Sequence, residues 1–179
     1  RLLVMAGGDQ AVFDQQCALL KHLALEPKRM GAVGTGAASK LALNQLIASL
    51  THGYSLALRL IQASGLDVER FMEVLRPSAL YAPTVDKKLK RMLTHDYSDP
   101  NFSTSLLRKD LNLFLREAGL AGLDAGGLEG LACLLMRAEG TDLDAGDYSA
   151  LHELTAADPS FNLDTSGSVP SPDRQGHTP

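Results

Sequence analysis

The chain has 179 residues and 45% of them are hydrophobic against 21% charged, a balance that suits one globular domain, with at most part of a second, and excludes wholesale disorder. Aromatic residues make up only 5% and Trp is absent, which argues against a β-sandwich or barrel and for helices. A net charge of -4 without a basic stripe excludes nucleic acid as the expected partner.

Residues 2–6 are a short apolar run closed by Gly7-Gly8-Asp9, the pattern of a buried strand stopping at a glycine turn. A helix is expected over residues 10–25, with Val12, Phe13, Leu19, Leu20 and Leu23 as its apolar positions and Pro27 as its stop. Met30 to Gly34 then reads as a brief extended segment. This start looks like the last strand-helix-strand of an α/β sheet whose remaining strands lie upstream of Arg1 or on another chain.

From Thr35 the character changes. Residues 36–63 hold Leu41, Leu43, Leu46, Ile47, Leu50, Leu56, Leu58, Leu60 and Ile61, spread nearly all round a helix. Such a helix must be buried on all sides. At about 28 residues it would be roughly 42 Å long, so a second subunit is expected to cover part of it. Gly65 is its natural stop. Asp67 can cap a helix over residues 68–76, ended by Pro77. Another is expected over residues 78–93, with Lys87, Lys88, Lys90 and Arg91 as a solvated basic side, or more sharply as a phosphate site. Residues 95–100 read as a polar loop. Ser103 or Thr104 can cap a helix reaching Glu117, Gly126-Gly127 precedes one ending at Ala138, and Asp147 caps a last one to Leu154. Residues 158–179 are rich in Pro, Ser, Gly and Asp and read as a disordered tail.

Several residues carry chemistry. Gly31, Gly34 and Gly36 nearly match G-x-G-x-x-G, which suits either a dinucleotide loop or a linker turning tightly into the long helix. Neither a following strand nor an acidic ribose partner continues the first reading. Lys40 stands in the first turns of an apolar helix, at its positive end, where a cation is disfavoured. Asn44 lies four residues on and shares its face. A partly desolvated ammonium there can donate a proton near neutrality; a snorkelling Lys beside a solvent-facing Asn is the bland alternative. Lys109-Asp110 lies within an apolar helix, and adjacent residues do not face each other there, so no simple ion pair is expected. The five histidines show no metal-ligand spacing, and no metal site is expected. His95, Asp96 and Asp99 read as a solvated loop. Cys17 and Cys133 lack Cys-x-x-Cys spacing and read as reduced core residues of a cytoplasmic protein. No apolar run of about 18 residues is present, so no membrane span is expected.

The order of these pieces resembles a known family. An apolar strand, Gly-Gly, a helix, G-x-V-G-x-G-x-x-x-K-L-x-x-N, a long helix and a later K-D-L are similar to the C-terminal part of the β-hydroxyacid dehydrogenases. These include 3-hydroxyisobutyrate dehydrogenases and glyoxylate/succinic semialdehyde reductases, related to 6-phosphogluconate dehydrogenase. The resemblance covers about residues 2–154. It implies a mainly α fold: an all-helical domain like that at the C-terminus of 6-phosphogluconate dehydrogenase, with a long central helix, preceded by a strand-helix remnant of a Rossmann domain. The implied division is residues 1–34 (remnant and linker), 35–157 (helical substrate and dimerisation domain) and 158–179 (tail). It further implies an NAD- or NADP-dependent reductase of a short aldehyde- or keto-acid, or the reverse hydroxyacid dehydrogenase, working as a homodimer or tetramer.

By the same resemblance Lys40 is the general acid/base, Asn44 binds substrate and Lys109 reaches the cofactor. The G-x-G-x-x-G and S-G-G segments of the family are absent, so most of the cofactor site lies outside this chain, and the chain alone is expected to be inactive. Leu43 replaces the His or Asn of some members, which brings residues 40–44 nearest the glyoxylate/succinic semialdehyde type. A non-catalytic helical dimerisation domain and an imine reductase are the alternative readings. Lys40 argues against the latter.

Overall fold

Asp9 opens the first helix as its position suggests, its side chain accepting hydrogen bonds from the Ala11 and Val12 amides at 2.8 and 3.2 Å. The structure, a computed structural model, describes residues 2–156; the expected tail at 158–179 lies outside the described residues. The elements are β1 (Met5–Gly7), α1 (Gln10–Leu23), β2 (Lys28–Gly31), α2 (Thr35–Ala63), α3 (Val68–Leu75), α4 (Thr84–Thr94), α5 (Thr104–Leu120), α6 (Gly126–Met136), α7 (Asp142–Ala145), a 3-10 turn (Tyr148–Ala150) and α8 (Leu151–Leu154). The fold is mainly helical.

β1 and β2 form a parallel pair, with Met5 opposite Lys28 and a slip in register after Ala6. A parallel pair needs a crossover, and α1 supplies it. The expected strand-helix-strand is therefore present, with β1 at 5–7 rather than 2–6; Leu2 instead makes an isolated bridge with Ala24. No residue of α1 is buried, and Val12, Leu19 and Leu23 are exposed apolar side chains.

α2 has 29 residues and starts from a tight turn. Gly34, its cap, sits at φ 95°, where glycine alone is unstrained. Gly36 lies against β1: a Cβ there would stand 2.5 Å from the Met5 carbonyl oxygen. Gly36→Ala is expected to destabilise the chain by about 1–3 kcal/mol. Gly53→Ala, farther along the same helix with open space around it, is expected to stabilise by up to about 1 kcal/mol. Urea unfolding of the two variants checks both signs.

The long helix is the shared wall of two cores. Near its middle Ala48 joins Leu107, Leu111, Leu131, Leu135, Tyr148 and Leu151 from α5, α6 and the C-terminal turns. Near its end Leu58 joins Met72, Leu75, Val85, Leu89 and Met92 from α3 and α4. The opposite side is not covered by the described residues. Leu43, Leu46, Leu50, Leu56 and Leu60 are all exposed, and at 100° per residue they form one stripe.

Three sequence expectations are corrected in the helical part. α4 starts at Thr84, not at 78, because Leu75 to Ala82 is folded into turns ahead of Pro83. Its basic residues do not form one solvated side. Lys88 turns inward to a fully buried Asp147 at 2.6 Å and lies 4.5 Å from the Tyr148 ring centre. Arg91 donates to the carbonyls of Asp96, Ser98 and Asp99, while Lys87 and Lys90 stay exposed. The cysteines are free, but Cys133 is exposed and Cys17 only partly buried, so neither is a core residue; Cys133 falls on the outer side of α6, while Cys17 lies on the less exposed side of α1 with Phe13 and Leu20. Among the described residues no helix is long and apolar enough to cross a membrane.

Candidate functional site

Lys40 and Asn44 occupy successive turns of one face of α2. The neighbouring helix α5, capped by Ser103 through the Leu106 amide, places Leu107, Asp110 and Leu111 on its buried face. Asp110 is only 3% exposed, and a carboxylate at that depth requires partners. It has two. One oxygen accepts from Asn44 Nδ2 at 2.6 Å, and the other meets Lys109 Nζ at 3.1 Å.

The expectation that Lys109 and Asp110 do not pair is thus wrong. Cβ directions on adjacent residues diverge, but the four-carbon lysine stem is long enough to fold back. Lys109 keeps 58% of its side chain in solvent. It lines an open depression of about 410 Å³ with Ser105, Arg108, Asn112 and Arg116.

The structure therefore brings Asn44 and Lys109 together through Asp110, with Lys40 one turn before Asn44. Lys40 is exposed and has no hydrogen-bond or ion-pair partner among the described residues. The desolvation expected for its ammonium is not supplied by this chain. Gly31, Gly34 and Gly36 form the turn from β2 into α2, and among the described residues no strand follows α2. This geometry matches the linker reading of the glycine cluster.

A second polar cluster went unread in the sequence. Glu153 accepts from His95 Nδ1 at 2.6 Å and from Tyr97 Oη at 2.5 Å, with Arg59 at 3.8 Å. Arg59 also holds the His152 carbonyl and Thr155 Oγ1. Burial pushes the Glu153 carboxyl up, but the Tyr97 and His95 hydrogen bonds outweigh it and hold the group below its ordinary range. Burial, aided by the Arg59 charge, lowers His152 to about 4. The available signal was Arg59, a lone cation within the apolar second half of α2. Among the described residues no group of His, Cys, Asp or Glu is placed to hold a metal ion.

Known proteins resemble this chain across the same region. Residues 34–155 match the family described as NAD-binding of NADP-dependent 3-hydroxyisobutyrate dehydrogenase. The 2-hydroxy-3-oxopropionate reductase of Escherichia coli is 32% identical over 124 residues, 69% of this chain and 42% of that protein. Glyoxylate/succinic semialdehyde reductase 1 of Arabidopsis thaliana is 30% identical over 115 residues, 64% of this chain and 39% of that protein. The solved 3-hydroxyisobutyrate dehydrogenase of Mycobacterium tuberculosis with L-serine shares the fold at a TM-score of 0.75 and 23% identity, over 84% of this chain and 54% of that one. The chain spans about two fifths of the length of these curated relatives. A family match over residues 34–155 takes in α2 through α8, with Lys40, Asn44, Lys109 and Asp110 inside it, and the chain belongs to that 3-hydroxyisobutyrate dehydrogenase NAD-binding family.

Proposed function

We propose that this chain is the helical part of an NAD(P)-dependent oxidoreductase that interconverts a short aldehyde- or keto-acid and its hydroxyacid, with Lys40 as general acid/base. The observation that carries this reading is the linked set on α2 and α5. Lys40 and Asn44 stand one turn apart, and Asn44 is tied through Asp110 to Lys109 across 2.6 and 3.1 Å contacts. The names of the two reductases, each with an aldehyde-acid as substrate, support the substrate class.

Lys109 offers only donors to an anionic cofactor and borders an open depression; Arg108 and Arg116 beside it are paired with Asp144 and Glu117. When bound, the nicotinamide supplies a hydride to the carbonyl carbon or removes one from the alcohol. Lys40 gives the matching proton to the carbonyl oxygen, and takes it back in the oxidative direction. Asn44 orients the substrate beside it. Ligand and cofactor over α2 would exclude the water that surrounds Lys40 in this chain, which strengthens the electrostatic contacts there.

The uncovered Leu2, Leu3, Val12, Leu19 and Leu23 support assigning residues 1–34 to a Rossmann NAD(P)-binding sheet, and 35–157 to the substrate and dimerisation domain. Two free cysteines suit a cytoplasmic, reducing setting. The leucine stripe of α2 supports assembly with a second copy. Leu46→Glu with Leu50→Glu is expected to convert a dimer or larger species into the single-chain mass by sedimentation. A parent protein that is itself monomeric would refute this assembly.

The activity is tested on the complete enzyme by following NADH and NADPH absorbance with glyoxylate, succinic semialdehyde and 2-hydroxy-3-oxopropionate. Turnover with at least one is expected; none with any short aldehyde- or keto-acid overturns the reading.

A further inference from the structure

We propose that Asp110 is a positioning residue that fixes which end of the Asn44 amide faces the ligand, making Asn44 a hydrogen-bond acceptor. This rests on the functional reading above, which places a ligand beside Asn44. An ionised carboxylate has only acceptor sites. The amide of Asn44 must therefore turn its NH2 toward Asp110, and the 2.6 Å contact is made by Nδ2.

Asp110 is in no position to yield. It is 3% exposed, flanked by the fully packed Leu107 and Leu111, and its second oxygen is held by Lys109. Because the amide is planar and its two ends point apart, committing Nδ2 to α5 leaves Oδ1 pointing elsewhere. Oδ1 makes no hydrogen bond among the described residues and is not one of the buried polar atoms left without a partner. Asn44 is half-buried, and its Oδ1 keeps access to solvent.

The group that Asn44 offers to a ligand is thus a carbonyl oxygen. It accepts a hydrogen from a hydroxyl or an ammonium and repels a carboxylate. On this arrangement Asn44 reads the hydroxyl-bearing end of a hydroxyacid, and the acid group must be held by donors elsewhere. Lys109 is held in the same way, since its ammonium is anchored on the other Asp110 oxygen.

Hydrogen exchange of side-chain amides in the unsubstituted chain provides the first test, and it needs no activity. Asn101 and Asn112 are exposed and serve as internal references. The Asn44 amide protons are expected to exchange at least tenfold more slowly than theirs. Equal rates overturn the proposal whether or not the enzymatic reading stands.

The second test uses the complete enzyme. Asp110→Asn is expected to lower kcat/KM for hydroxyacid oxidation at least tenfold, yet less than twofold when Asn44→Ala is already present. An equal loss in both backgrounds shows that Asp110 does not act through Asn44 and overturns the proposal. If Asp110→Asn fails to fold, the exchange rates in the unsubstituted chain decide alone.

Discussion

Lys40→Ala in the complete enzyme is expected to lower kcat at least a hundredfold and to leave the fold unchanged. General acid-base groups contribute about 10²- to 10⁴-fold, or roughly 3–5 kcal/mol of barrier. The stability side is equally definite. Lys40 is exposed, holds no partner among the described residues, and Ala favours a helix at least as well as Lys. A change within about 0.5 kcal/mol in unfolding free energy is expected, as for other surface substitutions.

Lys40→Arg separates proton transfer from charge. A guanidinium keeps the positive charge but does not release a proton in the working pH range, so this variant is expected to bind substrate and still fail to turn over. Steady-state kinetics with urea unfolding of the same preparations checks all three statements. Turnover of Lys40→Ala within about threefold of the parent would mean that another group moves the proton.

The largest loss of stability is expected from Asp147→Ala. Asp147 is fully buried and takes hydrogen bonds from Lys88 at 2.6 Å, from Ser149 Oγ at 2.7 Å and from the Ser149 amide at 3.1 Å. Removing it strands the Lys88 ammonium, whose side chain is 14% exposed. Breaking one partner from a buried pair costs about 3–5 kcal/mol. A variant that loses less than about 1 kcal/mol in urea would show that Lys88 escapes to solvent.

The same groups set the acid limit of the fold. Burial raises the Asp147 carboxyl, but the Lys88 and Ser149 hydrogen bonds together hold it below its ordinary value of 3.8. Its contribution is present above that value and is lost as pH falls through the lowered one. His152 titrates from 6.5 unfolded to about 4 folded. The unfolded chain therefore takes up its proton first, and stability drains as pH falls from about 6.5 toward 4. A urea midpoint that falls across that window, and goes on falling below it as Asp147 protonates, is the expected profile.

Much of the fold follows from local chemistry that a sequence displays. The long helix, expected over 36–63, is found at Thr35–Ala63. The caps Asp67 and Ser103 hold the Arg70 and Leu106 amides as their positions suggest. Gly65, expected as the stop after α2, sits at φ 73°. All of these depend on neighbours within four residues.

The misreadings depend on distant ones. Lys88 reads as one of four surface cations until α4 is laid against Asp147, 59 residues later. Asn44 and Asp110 are 66 residues apart, and no periodicity announces their bond. Lys109 and Asp110 are adjacent but pair through side-chain length, which a helical wheel ignores. α7 was unexpected because its four residues, Asp142 to Ala145, are too few to show a period. Lys40, Asn44, Lys109 and its neighbour Asp110 stand out in the sequence through the order of their motifs, while the bond from Asp110 to Asn44 is visible only with α2 beside α5.

The glycine turn between β2 and α2 looks built to bend. Gly31 and Gly34 both have positive φ, which would suit a hinge between the two-stranded sheet and the helical body. The contact at Gly36 denies it that freedom. With no side chain between them, the first turn of α2 rests directly on the β1 backbone, one turn ahead of Lys40. Any swing of the sheet carries that end of the helix along, so the lysine keeps a constant height above the strand ends.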